Sequence, residues 1–241
     1  MTRAGFFVTF EGPEGSGKSS QAKRLVRALR ARRKSVVFIC DPGSTPLGRR
    51  LRQTLLHDGS NRFSPLAEAM LFLAGRLQLI QARIRPALQR GAIVVCDRFH
   101  DSTVAYQGFG GRVDVHWLDQ LGRAVIDGIL PDLTVLLDVP TAVGFARVGR
   151  QRDRMEQKAR AFHKRVRTGY RQLAQREPQR FVVVDGTQPK AEIARQILHL
   201  VLARLSNKQT RAARKYVWFS TRHSSPARLE RAPGRALIAH H

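Results

Sequence analysis

Phe6-Phe7-Val8-Thr9-Phe10-Glu11-Gly12-Pro13-Glu14-Gly15-Ser16-Gly17-Lys18-Ser19, or F-F-V-T-F-E-G-P-E-G-S-G-K-S, decides how the rest of the chain is read. An apolar run meets a glycine-rich loop, and the stretch after it, Ser19–Ala31, has apolar residues at helical spacing. Gly12, Gly17, Lys18 and Ser19 fit G-x-x-x-x-G-K-[ST] in the strand–loop–helix setting that this pattern requires. The glycines let backbone N–H groups turn toward phosphate oxygens, and the helix start adds partial positive charge at the same point. Lys18 offers a cation to the β- and γ-phosphates, and the Ser19 hydroxyl offers Mg²⁺ a hard oxygen. Gly12, Pro13, Glu14, Gly15, Ser16, Gly17, Lys18, Ser19 and Ser20 are therefore the predicted triphosphate contacts.

Outward from the loop, short apolar runs alternate with longer stretches of helical period. Val36–Cys40 precedes Pro65–Arg90, Ala92–Cys96 precedes His116–Asp127, Thr134–Val139 precedes a basic helix, and Phe181–Val184 precedes Lys190–Leu205. With Phe6–Phe10 this makes five strands. Strand–helix alternation with near-continuously apolar strands predicts an α/β three-layer fold of the P-loop NTPase type, a five-stranded parallel sheet with helices on both faces.

The 241 residues, 42% of them hydrophobic, suit one ordinary domain with a modest extension. The domain is expected to span residues 1–205, with a basic, flexible tail over 206–241. Cys40 and Cys96 end apolar runs and read as packing residues, with neither disulfide nor metal spacing. No segment approaches the ~20 apolar residues of a membrane span, and a cytoplasmic protein is expected. The formal charge is +25, of which the tail holds eight Lys or Arg against one Glu, leaving +18 on residues 1–205. Such a balance raises nucleic-acid contact through the tail, but no aromatic platform for bases interleaves the basic residues.

Asp97 and Arg98 follow the strand A-I-V-V-C, at the edge where open parallel sheets bind ligands. Arg98 suits phosphate bridging, and Asp97 a metal-linked role or a hold on that arginine. Phe72 and Arg76, four residues apart on a helix, suit a planar base bearing a carbonyl, although a Phe at that spacing is more often core.

The ordered set E-G-P-E-G-S-G-K-S, D-P-G-S-T-P-L-G, L-F-L-A-G-R-L-Q, I-R-P-A-L-Q-R-G, C-D-R-F, S-T-V-A-Y-Q-G, P-D-L-T-V-L-L-D-V and D-R-M-E resembles bacterial thymidylate kinases over residues 5–205. The resemblance implies Mg²⁺-dependent transfer of the ATP γ-phosphoryl group to dTMP, giving dTDP and ADP, within dTTP synthesis. It also implies a dTMP site of Glu14, Pro42, Phe72, Arg76, Arg98, Ser102, Thr103, Tyr106 and Gln107. Phe72 would stack on thymine and Arg76 reach its 4-carbonyl. Ser102, Thr103 and Gln107 would read the other base edge, and Tyr106 would sit beneath the deoxyribose. Val183–Gln188 would lie against adenine. Ser19 and Asp97 are the implied metal contacts, and Lys18, Asp97 and Arg98 the catalytic set, with a homodimer as the implied assembly.

A lid is expected at about residues 147–156, carrying Arg147, Arg150, Arg152 and Arg154. Because this phosphate loop lacks an arginine, the resemblance assigns the catalytic one to the lid. Arg150 is favoured, with Arg147 and Arg152 as competitors. Cys40-Asp41 stands where the family usually has Arg-Glu, with Arg49 and Arg50 nearby as candidate compensation. The alternatives are a P-loop ATP-binding protein associated with nucleic acid, or a kinase for another nucleotide.

Overall fold

The structure, a computed structural model, describes residues 5–58, 62–148 and 153–222. The strands are β1 (Phe6–Glu11), β2 (Val36–Cys40), β3 (Ile93–Asp97), β4 (Leu133–Asp138) and β5 (Phe181–Asp185). They form one parallel sheet in the order β2-β3-β1-β4-β5. The expected five strands are all present, each within one residue of its sequence bounds at either end. β1 lies at the centre with every residue buried, whereas the edge strands β2 and β5 are partly exposed. Because β1 and β3 are neighbours, the phosphate loop and the Asp97-Arg98 pair leave the sheet side by side.

Helices α1 (Lys18–Ala31), α2 (Pro46–Arg52), α3 (Pro65–Leu79), α4 (Arg85–Gln89), α5 (His100–Thr103), α6 (Val115–Ile126), α7 (Thr141–Arg147), α8 (Arg160–Arg176) and α9 (Lys190–Arg222) surround the sheet or follow it. Starts are set by local chemistry. Ser64 caps α3 through Ala67 N at 3.2 Å with Pro65 in the first turn, and Asp114 caps α6 through Trp117 N at 2.7 Å. Gly17, by contrast, opens α1 at φ 90° with no capping side chain and no acid in the first turn, leaving its N–H groups for an anion.

The stretch Pro65–Arg90 is not one helix: α3 gives way to a π-helical turn over Ile80–Ile84 before α4. Pro86, in the first turn of α4, cannot donate a backbone N–H, so the regular ladder is interrupted ahead of it. Another π-helical segment, Val104–Gly110, continues α5 and carries Tyr106 and Gln107, and a further one, Gln53–His57, follows α2.

The chain divides into two units, Met1–Leu202 and Ala203–His241. In the second, the described residues are helical to Arg222, past the expected helix end at Leu205. Polarity alone does not stop a helix, and the first proline after Leu205 is Pro226, with no glycine before it. Among the described residues no helix is long and apolar enough to cross a membrane.

Candidate active site

The C-terminal ends of β1, β2 and β3 open into a cavity of about 740 Å³. On one side it is lined by Glu14, Gly15, Gly17, Lys18, Ser19 and Ser20 from the phosphate loop. On the other it is lined by Pro42, Phe72, Arg76, Ser102, Thr103, Tyr106 and Gln107, with Asp97 and Arg98 also in its wall. The structure therefore brings the predicted acceptor set and six of the nine predicted phosphate-loop residues into one cavity, while Gly12, Pro13 and Ser16 lie outside its lining.

Lys18 is buried, and its ammonium donates to Pro13 O at 2.8 Å and Ser16 Oγ at 3.3 Å. Burial, then the neighbouring Arg98 charge, lower its pKa to about 8. Ser19, at the start of α1, donates its hydroxyl to Asp97 Oδ2. One hard hydroxyl oxygen and one carboxylate thus meet at the mouth of the loop. Gly12 and Gly15 hold positive φ angles, 143° and 68°. Gly15 also lies against α7: a Cβ there would stand 2.1 Å from Gly144 O, and one on Gly144 would stand 2.3 Å from Glu14 O. Only backbone fits between loop and helix.

Arg98 is the hub. It adopts φ 67°, uncommon for a residue with a side chain and of the kind of backbone strain that gathers at active sites. Its Nη2 reaches Glu14 Oε1 at 2.8 Å and the Tyr106 hydroxyl at 3.2 Å, and its Nη1 reaches Ser102 Oγ at 3.2 Å and the Tyr170 hydroxyl at 3.3 Å. Tyr106 also donates to Glu14 Oε1 at 2.6 Å. Burial would raise the Glu14 pKa, but Arg98 and then Lys18 outweigh it and hold the carboxyl at about 2. Glu14, inside the loop, is thereby ionised and joined to the opposite wall.

Behind Arg98, Glu11 accepts from Ser102 Oγ at 2.6 Å, Tyr170 Oη at 2.9 Å and Phe99 N at 2.7 Å. Burial, reinforced by the Asp101 charge, pushes its pKa to about 7 against those hydrogen bonds. Sequence reasoning passed over Glu11 and Tyr170. Glu11 carried a signal, a carboxylate ending a strand that is otherwise almost wholly apolar, whereas Tyr170, distant in sequence on α8, carried none.

Arg76 is 1% exposed. Its Nε donates to Asp41 Oδ2 at 2.5 Å and its Nη1 to Thr103 Oγ1 at 2.9 Å. The aspartate in the unusual Cys40-Asp41 pair therefore fixes the arginine on the far wall. Burial raises the Asp41 pKa against the pull of Arg76. Arg49 and Arg50 are exposed and outside the cavity wall; Arg52, donating to Pro42 O at 3.2 Å, lines it with Lys23. Phe72 is half-buried one turn before Arg76.

Of the lid arginines, Arg150 and Arg152 lie outside the described residues. Arg147 ends α7 and donates to Gly186 O at 2.7 Å, within the segment Val183–Gln188. Arg154 donates to Leu55 O at 2.8 Å and pairs with Glu68.

The thymidylate kinase family profile matches residues 10–197. The thymidylate kinase of Deinococcus radiodurans is 47% identical over 195 residues, covering 80% of this chain and 94% of that one. That of Thermomicrobium roseum is 48% identical over 192 residues, covering 78% and 90%. The crystal structure of thymidylate kinase from Ehrlichia chaffeensis matches with a TM-score of 0.68 at 32% identity, over 82% of this chain and 98% of that one. With the loop, the strand order and the two-sided cavity already in place, matches of this extent lead to one assignment: the chain belongs to the thymidylate kinase family.

Proposed function

We propose that the two walls of the cavity divide the work of phosphorylating dTMP with ATP, which yields dTDP and ADP. The observation that carries this reading is Arg98, which ties the phosphate loop at Glu14 to the acceptor wall at Tyr106 and Ser102. An ATPase that only binds and hydrolyses its nucleotide has no use for the further wall of Phe72, Arg76, Thr103 and Gln107 in the same cavity.

On the donor side, the loop from Gly12 to Ser20 cradles the ATP phosphates through backbone N–H groups, and Lys18 places its charge beside the β- and γ-phosphates. The Ser19 hydroxyl and the Asp97 carboxylate, already in contact, are hard oxygen donors that fit Mg²⁺, whose other ligands come from phosphate oxygens and water. Bound there, the ion would supply charge neutralisation of the triphosphate. On the acceptor side, Phe72 stacks on the base, Arg76 donates to its carbonyl, Tyr106 supports the sugar, and Arg98 receives the phosphate. Pro42 closes the flank. The attacking atom is a phosphate oxygen already ionised at neutral pH, so the protein supplies position and positive charge rather than a general base.

The lid completes the charge. Arg150 is proposed as the cation that stabilises the transferring phosphoryl group, with Arg147 and Arg152 as competitors, a role worth about 10³–10⁵ in rate where an arginine finger operates. Single Arg→Ala variants at 147, 150 and 152 separate them: one large fall in kcat identifies the residue, while equal small losses defeat the lid mechanism.

A cytoplasmic setting and a homodimer are proposed on the family resemblance alone. Nucleic-acid contact by residues 206–241 rests on their charge. The decisive experiment for the whole reading is a coupled assay with ATP, Mg²⁺ and dTMP. ADP release that depends on dTMP supports it, and its absence from folded protein defeats it.

A further inference from the structure

Glu68 is a buried carboxylate that the phosphoryl-transfer reading leaves without a task. It is 1% exposed on α3, four residues before Phe72 and eight before Arg76, so the three occupy one stripe of the helix. Gln107 Nε2 donates to its Oε2 at 3.1 Å, and Lys158 Nζ donates to both its oxygens at 3.1 Å. Arg154 Nη2 stands 2.9 Å from Oε1, an ion pair without the angle of a directed hydrogen bond. Two cations, Arg154 from the lid and Lys158 just after it, therefore balance its charge, and the amide of Gln107 completes the shell.

A carboxylate only accepts hydrogen bonds, so it dictates which end of the Gln107 amide it meets. The NH₂ group must face Glu68, and the carbonyl oxygen is left to the cavity that Gln107 lines. Arg76, held on two nitrogens by Asp41 and Thr103, can present only N–H to the same cavity. An acceptor and a donor on one wall complement a ring edge with N–H beside C=O, as in thymine. Cytosine carries the reverse polarity there, an unprotonated ring nitrogen beside an amino group. Turning the Gln107 amide by 180° would give the cytosine ring nitrogen its donor and leave only the amino group opposed, by Arg76; Glu68 forbids that turn.

We infer that Glu68 is a positioning residue that sets pyrimidine selectivity by fixing the amide polarity of Gln107. The inference rests on the proposed placing of the base against Arg76 and Gln107. Its test measures kcat/KM of the full-length enzyme for dTMP and for dCMP. Glu68→Gln, equal in size and able to accept the turned amide, is expected to lower the dTMP-to-dCMP ratio by about 10- to 100-fold, mostly through the KM for dTMP. Gln107→Met is the reference variant. It should bring the ratio to a similar level, and the double variant should lose little more.

Equal losses for both nucleotides in Glu68→Gln, or an unchanged ratio while Gln107→Met collapses it, would overturn the role of Glu68 and leave the base placement standing. An unchanged ratio in Gln107→Met overturns the placement itself and the inference with it. If Glu68→Gln does not fold, Glu68→Gln/Lys158→Met, which removes one cation with the anion, carries the same readout.

Discussion

At the scale of single residues, two groups in the Arg98 cluster make opposite demands on pH. Arg98 needs its one carboxylate partner ionised, and Glu14, held at about pKa 2, stays so throughout the physiological range. Arg98→Ala should lower kcat/KM for dTMP by about 10²–10³, and Arg98→Lys should recover only part, because an ammonium cannot reproduce the fork that reaches Glu14, Tyr106, Ser102 and Tyr170 at once. Steady-state kinetics check both; full activity in the lysine variant would contradict the fork. Glu11 behaves differently. Its folded pKa of about 7 lies above the ordinary glutamate value of 4.5. Between those two values the folded chain keeps a proton that the unfolded chain has lost, so stability falls as pH rises through that window, by about 3 kcal/mol at most. Urea unfolding at pH 5 and pH 7.5 should show this fall in the wild type and a flatter profile in Glu11→Gln. The same slope in both proteins would assign the effect to another group.

At the scale of elements, the phosphate loop was legible because its function is written in backbone requirements that few residues meet: glycines at positive φ, then Lys18 and Ser19 opening a helix without a cap. The acceptor wall was legible in part from spacing, at Arg98 and at Phe72 with Arg76, and in the rest only through resemblance. Phe72 and Arg76 gave a helical spacing, but nothing local announced that Asp41 would hold the arginine from another element, or that Gln107 would ride on a π-helical segment. Helix ends were read from polarity, and α9 exceeded its expected bound because polar residues without proline or glycine still support a helix. Glu68 did leave a trace in A-E-A-M-L-F-L-A-G-R, as the first of three positions spaced by four. The contact between α7 and the loop left none, since each glycine's partner lies far along the chain. Gly144→Ala tests that contact. Its methyl would press on Glu14 O, and a displacement near 1 Å at the loop should cut kcat/KM about 10²-fold with α7 otherwise intact. Kinetics beside a thermal unfolding curve distinguish this from global loss of fold; unchanged kinetics would show the loop absorbs the methyl freely.

At the scale of the whole molecule, the excess of cations falls into two groups that can be separated. Lys18, Lys23, Arg52, Arg76 and Arg98 line the cavity, whereas those of residues 206–241 lie outside the family match. Deleting residues 206–241 should leave kcat/KM for dTMP within about two-fold and remove any salt-sensitive retention on random DNA. Retention that survives the deletion would place the binding on residues 1–205 instead. The meeting of Gly15 and Gly144 also constrains how this lineage can change. A basic side chain at position 15 would put a cation inside the loop and relieve the lid of supplying one, yet its first carbon collides with the backbone of α7. No single substitution opens that route, because making room requires moving a helix rather than trimming a side chain. On the proposed mechanism, descendants of this sequence are free to shuffle arginines among positions 147, 150 and 152, but not to relocate the catalytic charge to position 15.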